Sequence, residues 1–244
     1  QRLSRGLGDV YKRQPSDLTI AVTVTDVNDQ TPTYTSSDTT PNIAEQTTAV
    51  ETLTVTDTDT GDVNACTLGG ADASSFSCTV NGDSVSLAFS SAPDFENPGS
   101  VDSDNDYSVT VTISDGVNTG ATISYTVTVD DANDFTPTYS AGDLTPSVAE
   151  GSTAVDSFTV SDADTDDVNA CIRGGADAAL FTCTVSGDDI TLAFASAPDY
   201  DSASDANSDN DYIVTVAISD GTNTGSTLSY TVSVTDLNDQ TPTY

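Results

Sequence analysis

Between Tyr107 and Ile113 every second residue is apolar: Tyr107, Val109, Val111 and Ile113 alternate with Ser108, Thr110 and Thr112. Tyr125, Val127 and Val129 alternate in the same way with Thr126 and Thr128. Leu53 and Val55 continue the theme, as do Val85, Leu87 and Phe89. A period of two sends one face of an extended chain into a core and the other into water. No helical apolar stripe is present, so the chain reads as all-β. Asn81-Gly82 between two such runs predicts a hairpin, because both residues tolerate the positive φ of a type I′ turn. About seven short strands per hundred residues, separated by turn signals, predict a β-sandwich.

The pattern repeats. DVND at Asp26–Asp29 returns as DAND at Asp131–Asp134 and as DLND at Asp236–Asp239, a period of 105 residues without insertion. Glu45 thus maps onto Glu150, Asp57 onto Asp162, Cys66 onto Cys171 and Asp115 onto Asp220. A sustained period of this length means tandem domains. Two whole copies span 35–139 and 140–244. Residues 15–34 read as the last strand and linker of a preceding copy. Residues 1–14 hold four of the chain's five basic residues, and DVYKRQ at 9–14 resembles a translated oligonucleotide adapter. That leader is read as non-native and set aside.

Composition sharpens the picture. Of 244 residues, 39 are Asp or Glu and 5 are Lys or Arg, for a net charge of −34. Such a chain cannot neutralise nucleic-acid phosphates or adhere unaided to anionic lipid. It has no His, so a Ser–His–Asp or Cys–His catalytic site cannot be assembled. No enzymatic role is expected. No apolar run approaches the length of a membrane helix. Glu occurs only at 45, 51, 96 and 150, so nearly all the acids are Asp, a turn residue and a short, hard oxygen ligand.

The acids fall into clusters at matched offsets: Ala44-Glu45, Asp57-Thr-Asp59, Asp94-Phe-Glu96, Ser114-Asp115-Gly116 and Asp131-Ala-Asn133-Asp134. Oxygen donors gathered from several segments suit Ca²⁺, which takes six to eight of them. A single Asp-x-Asp is more often a solvated turn; five clusters in register change that balance if they converge in space. Asp102-Ser-Asp104-Asn-Asp106 lacks the Gly and Glu an EF-hand needs and reads as a polar turn.

In order and spacing these motifs resemble the calcium motifs of cadherin repeats, over residues 15–244. "GGADAALF" and "APDFENP" resemble the wording of bacterial cadherin-like repeats in large surface proteins. The resemblance implies tandem seven-stranded Greek-key sandwiches with three Ca²⁺ ions at each junction. At the complete junction it implies Glu45, Asp94 and Glu96 from the upstream copy. The linker would add Asp131, Asn133 and Asp134 with the carbonyls of Ala132 and Phe135. The downstream copy would add Asp162, Asp164 and Asp220 with the carbonyl of Asn169. A partial N-terminal junction would use Asp26, Asn28, Asp29, Asp57, Asp59, Asn64 and Asp115. A partial C-terminal one would use Glu150, Asp199, Asp201, Asp236, Asn238 and Asp239, with the shorter Asp201 standing where Glu96 stands.

Cys66 and Cys78 lie twelve apart, as do Cys171 and Cys183. By strand parity Cys66 goes with Leu68 and Cys78 with Phe76, toward the core. Four cysteines allow three pairings, of which 66–78 with 171–183 respects the repeat; buried free thiols are the alternative. Disulfides would place the protein outside a reducing cytosol. The functional expectation is an extracellular, calcium-stiffened adhesion or spacer array. Its partners would be neighbouring repeats and, beyond them, a homophilic, cell-surface or glycan partner. The rival is a carbohydrate- or partner-binding module carried by a larger secreted protein, although the chain lacks Trp for a sugar platform.

Overall fold

The structure, a computed structural model, describes residues 20–60, 64–165 and 169–241. The adapter-like leader lies outside the described residues.

Residues 35–139 carry seven strands ahead of the next linker: β1 (Asn42–Ala44), β2 (Ala49–Thr54), β3 (Ala65–Gly69), β4 (Phe76–Asn81), β5 (Ser84–Phe89), β6 (Asp106–Ser114) and β7 (Ile123–Asp130). One sheet has the order β1-β7-β6-β3 and the other β2-β5-β4. β1 runs parallel to β7, and the other pairs are antiparallel. The short β8 (Thr138–Tyr139) ends the first span, and the second copy carries β9 (Ser147–Ala149), β10 (Ala154–Ser161), β11 (Ala170–Gly174), β12 (Phe181–Ser186), β13 (Asp189–Phe194), β14 (Asp211–Ser219) and β15 (Leu228–Thr235). Its sheets are β9-β15-β14-β11 and β12-β13-β10-β8. In the first copy an isolated bridge between Thr33 and Thr56 occupies the place of the β8–β10 pairing.

The alternating residues fill the space between the sheets. Leu53, Val85 and Leu87 face Val109, Val111, Ile113 and Val127, all essentially inaccessible to water. Each fully buried aliphatic side chain of this kind contributes roughly 1.5–3 kcal/mol. At one end Phe76 stacks on Phe89 at 4.5 Å, and Tyr107 meets Phe89 edge-on at 5.1 Å; Phe181, Phe194 and Tyr212 repeat the cluster. The hairpin between β4 and β5 differs in detail from the sequence expectation. The register pairs Asn81 with Ser84, so the two-residue loop is Gly82-Asp83. Only Gly82 has positive φ, at 60°, which is the type II′ pattern of a glycine in the first loop position.

The cysteines pair within each repeat, Cys66 with Cys78 and Cys171 with Cys183. Each bridge ties β3 to β4, or β11 to β12, and so joins edge strands of opposite sheets. The sulfurs lie half-buried against the core rather than within it.

Residues 20–29 form no strand, although they carry the alternation of one. Ile20, Val22 and Val24 are 72%, 81% and 89% exposed. Their equivalents at the 105-residue period, Tyr125, Val127 and Val129, are buried in β7.

Candidate metal centre at the joint between repeats

The site is assembled where β7 runs out into the linker 131–137 and the second repeat begins. Glu45 follows β1 directly, and the parallel β1–β7 ladder carries it to the end of β7. Its carboxylate is buried and bridges two segments. Oε1 accepts the Ala132 N–H at 2.9 Å and Oε2 accepts the Phe95 N–H at 2.9 Å. One side chain thereby holds the linker and the Asp94-Phe-Glu96 loop together.

Three groups of carboxylates follow one another along this joint. Glu45, Glu96 and Asp134 form the first; Glu96, Asp131 and Asp164 the second; Asp162, Asp164 and Asp220 the third. Within each group one oxygen from every member lies within 4.8 Å of the others. Glu96 is shared by the first two groups and Asp164 by the last two, so the groups form a chain from one repeat into the next.

The carboxylates of the joint sit in an unfavourable electrostatic environment. Both oxygens of Glu96 are buried without a hydrogen-bond donor, as are Asp131 Oδ1, Asp162 Oδ2, Asp220 Oδ2 and Asn169 Oδ1. Buried acceptors left unmatched cost free energy unless something positive faces them. Burial, together with the charges of Glu45 and Asp131, pushes the Glu96 carboxyl up to about 7. Burial and the charges of Glu45, Asp94 and Asp131 also raise Asp134. Asp220 moves the other way. Burial opposes ionisation there, but the backbone N–H groups of Asn223 and Thr222 donate to Oδ1 at 2.6 and 2.7 Å and hold it below the usual range. One oxygen of Asp220 is thus anchored by its turn and the other is presented to the joint. These donors are hard oxygens, several buried and unmatched, and they fit a divalent cation such as Ca²⁺.

Several residues named from sequence stand differently. Asp94 is exposed and lies outside the three groups; its Oδ1 accepts the Asn97 N–H at 3.1 Å and caps its own turn. Asn169 has a buried, unmatched side-chain oxygen in addition to the main-chain carbonyl that the resemblance implied. Asn133 Oδ1 and the Phe135 carbonyl both accept from the Asn223 amide, at 3.0 and 2.7 Å. Among the described residues, neither terminal half-joint brings three carboxylates together as the central joint does. At the N-terminal one Asp57 Oδ2 and Asn64 Oδ1 are buried and unmatched. There Asp59 accepts the Asp29 and Gln30 N–H groups at 2.8 and 2.6 Å, Asn28 accepts from Asn118 at 2.9 Å, and Asp115 caps its turn. At the C-terminal one Glu150 accepts the Leu237 and Tyr200 N–H groups at 2.6 and 2.7 Å, as Glu45 does with Ala132 and Phe95. Asp199, Asp201 and Asp239 are exposed there, and Asp236 is pushed up by burial and by the charges of Asp201, Glu150 and Asp239. The 102–106 loop is a self-closed turn, with Ser100 Oγ donating to the Asp104 carbonyl at 2.6 Å.

Sequence reasoning missed Gln46, Thr165 and Asn223. Gln46 Nε2 donates to Asp134, and the Thr165 N–H and hydroxyl both donate to Asp131. The signal was present, because Thr60 and Asn118 recur at the same offset. Residues that hold a carboxylate or a linker in place, and are not themselves ligands, attract no attention in a search for ligands.

No family model matches the chain, and no curated protein does. Solved structures do. The chain is 22% identical to protocadherin gammaB7 EC3-6, covering 86% of this chain and 49% of that one at a TM-score of 0.58. It is 16% identical to human protocadherin-24 EC1-2, with 85% and 100% covered and a TM-score of 0.57. Against the protocadherin gammaB4 extracellular domain it is 24% identical, with 88% and 33% covered and a TM-score of 0.55. The chain thus spans a third to a half of the longer structures it matches. At these identities the likeness defines the fold: these are tandem cadherin-like β-sandwich repeats.

Proposed function

We propose that this chain is a stretch of an extracellular adhesion or spacer array whose joints are stiffened by Ca²⁺. The observation that carries the reading is the row of three carboxylate groups linked through Glu96 and Asp164 at the joint between the repeats. Glu45, Glu96, Asp131, Asp134, Asp162, Asp164 and Asp220 would hold the ions. Asp94, the side chains of Asn133 and Asn169, and the carbonyls of Ala132 and Phe135 would complete their shells. Three ions would bring six positive charges to eight carboxylates, counting Asp94, and would counter the burial and the repulsion that raise Glu96 and Asp134. Bound cations supply electrostatic cross-links; the protein's own residues fix where the two repeats meet. Affinity in the range of about 10⁻⁴–10⁻³ M suits an extracellular calcium module. The in-chain disulfides agree with an oxidising location. Neighbouring repeats of the same chain are the immediate partners, and a homophilic or cell-surface partner lies beyond them.

Small-angle scattering in calcium and in EGTA tests the reading. Calcium is expected to narrow the interdomain distance distribution, and an unchanged distribution would sink the proposal.

A further inference from the structure

The linker 131–137, with β8 after it, is held mainly from one side. From the upstream repeat come the Glu45 carboxylate on the Ala132 N–H and the Gln46 amide on Asp134. The downstream repeat holds it along its length. Thr165 donates twice to Asp131, and Asp164 Oδ2 accepts the Phe135 N–H at 2.8 Å. Asn223 donates to Asn133 Oδ1 and to the Phe135 carbonyl. Farther on, Tyr139 donates to the Ser226 carbonyl at 2.7 Å and accepts the Ile218 N–H at 2.9 Å. Gly225 permits this docking, since a Cβ there would lie 2.6 Å from the Pro137 carbonyl and 2.5 Å from the Tyr139 ring.

The N-terminal half-joint repeats the arrangement. Residues 20–29 belong to no sheet, yet the linker beginning at Asp26 is docked in the same manner. Thr60 donates to Asp26 at 2.6 and 2.9 Å, Asn118 to Asn28, and Asp59 accepts the Asp29 and Gln30 N–H groups. Tyr34 reaches Ala121 and Ile113 as Tyr139 reaches Ser226 and Ile218. The same docking recurs at both linkers through neutral Thr and Asn donors, which need no counter-charge.

We infer that each linker is a metal-independent part of the repeat that follows it, latched by Asn223 and Thr165 at the central joint and by Asn118 and Thr60 at the first. Asn223 is a positioning residue: its amide bridges a linker side chain and a linker carbonyl and fixes the path of the segment that carries Asp131 and Asp134. The free hinge then lies on the upstream side, between the end of β7 and the docked linker. Calcium has to fix the upstream repeat onto a segment already in place. This inference rests on reading 131–135 as the joint, but its hydrogen bonds require no cation.

The test is residue-resolved amide exchange by NMR on the full chain in EGTA. The Phe135 and Gln30 amides should be protected, whereas Gln240, whose amide has no such acceptor among the described residues, should exchange freely. Asn223→Ala should speed exchange at Phe135 about tenfold, the factor for losing one or two net hydrogen bonds. Val214 in β14 should be unchanged, which separates release of the latch from misfolding. Thr165→Ala should give a smaller rise at the same amide. Exchange at Phe135 and Gln30 as fast as at Gln240, or an Asn223→Ala protein with Phe135 unaffected, would overturn the inference. A failure of calcium to stiffen the joint leaves protection in EGTA untouched, so the two proposals fail separately.

Discussion

Glu45 and Glu150 offer a matched pair of perturbations. Each carboxylate accepts two backbone N–H groups, Phe95 and Ala132 for Glu45, Tyr200 and Leu237 for Glu150. Only Glu45 also stands in a group of three carboxylates. Changing either to Gln replaces one acceptor oxygen by an amide donor that faces a backbone N–H. One hydrogen bond to a charged group is lost, worth about 1.5–3 kcal/mol. This is partly offset at both sites, because the neutral amide no longer repels Glu96 and Asp134 at Glu45, or Asp236 at Glu150. In EGTA, Glu45→Gln is therefore expected to cost no more than Glu150→Gln. With calcium the two should part. One ion present at about a hundredfold above its Kd stabilises the folded state by about 2.7 kcal/mol. Glu45→Gln should lose about that much of the calcium-induced increment, while Glu150→Gln should keep it. Scanning calorimetry of both variants at fixed protein concentration, in EGTA and across a calcium titration, reads the difference. If Glu45→Gln retains the whole increment, or Glu150→Gln loses as much, the carboxylate row is not where calcium acts.

Glu96 should make calcium binding proton-linked. Its folded, metal-free pKa is raised from 4.5 to about 7, so metal-free stability should fall as pH rises between those values, and calcium affinity should rise over the same window. Calorimetric titrations in buffers of different ionisation enthalpy should detect proton release near pH 6 that Glu96→Gln abolishes. Removing one disulfide by Cys66→Ala with Cys78→Ala should cost about 3 kcal/mol in urea unfolding, since the bridge closes a short loop between opposite sheets. Asp177 is buried, with Oδ1 and Oδ2 accepting the Ala206 and Ile213 N–H groups at 2.7 Å each. Asp177→Ala should destabilise the second repeat by about 3 kcal/mol or more, with or without calcium, because two amides lose a charged acceptor.

The strands, their buried faces and the period of 105 residues were legible in the sequence because each is a local or translational property. Alternation at Tyr107–Ile113 needs only the geometry of an extended chain to say which side chains go inward, and repetition carries that answer from one copy to the next. The same translation made Cys66–Cys78 the simplest pairing, although only the packing of β3 beside β4 brought the sulfurs together. The ligand types at the joint were legible as well, since a chain with so many Asp and so few bases has little else to offer a cation. Convergence was not legible. Glu96 enters two groups while Asp94, two residues away, caps its own loop and lies outside all three, because the bend of that loop, and not the spacing, sets how each carboxylate meets the joint. Nor could spacing rank Asn223 and Thr165, neutral residues whose importance comes from lying across a linker far away in sequence. Residues 20–29 show the same division from the other side. Their alternation is that of a buried strand, but burial requires a partner sheet, and only the tertiary structure decides whether one is there.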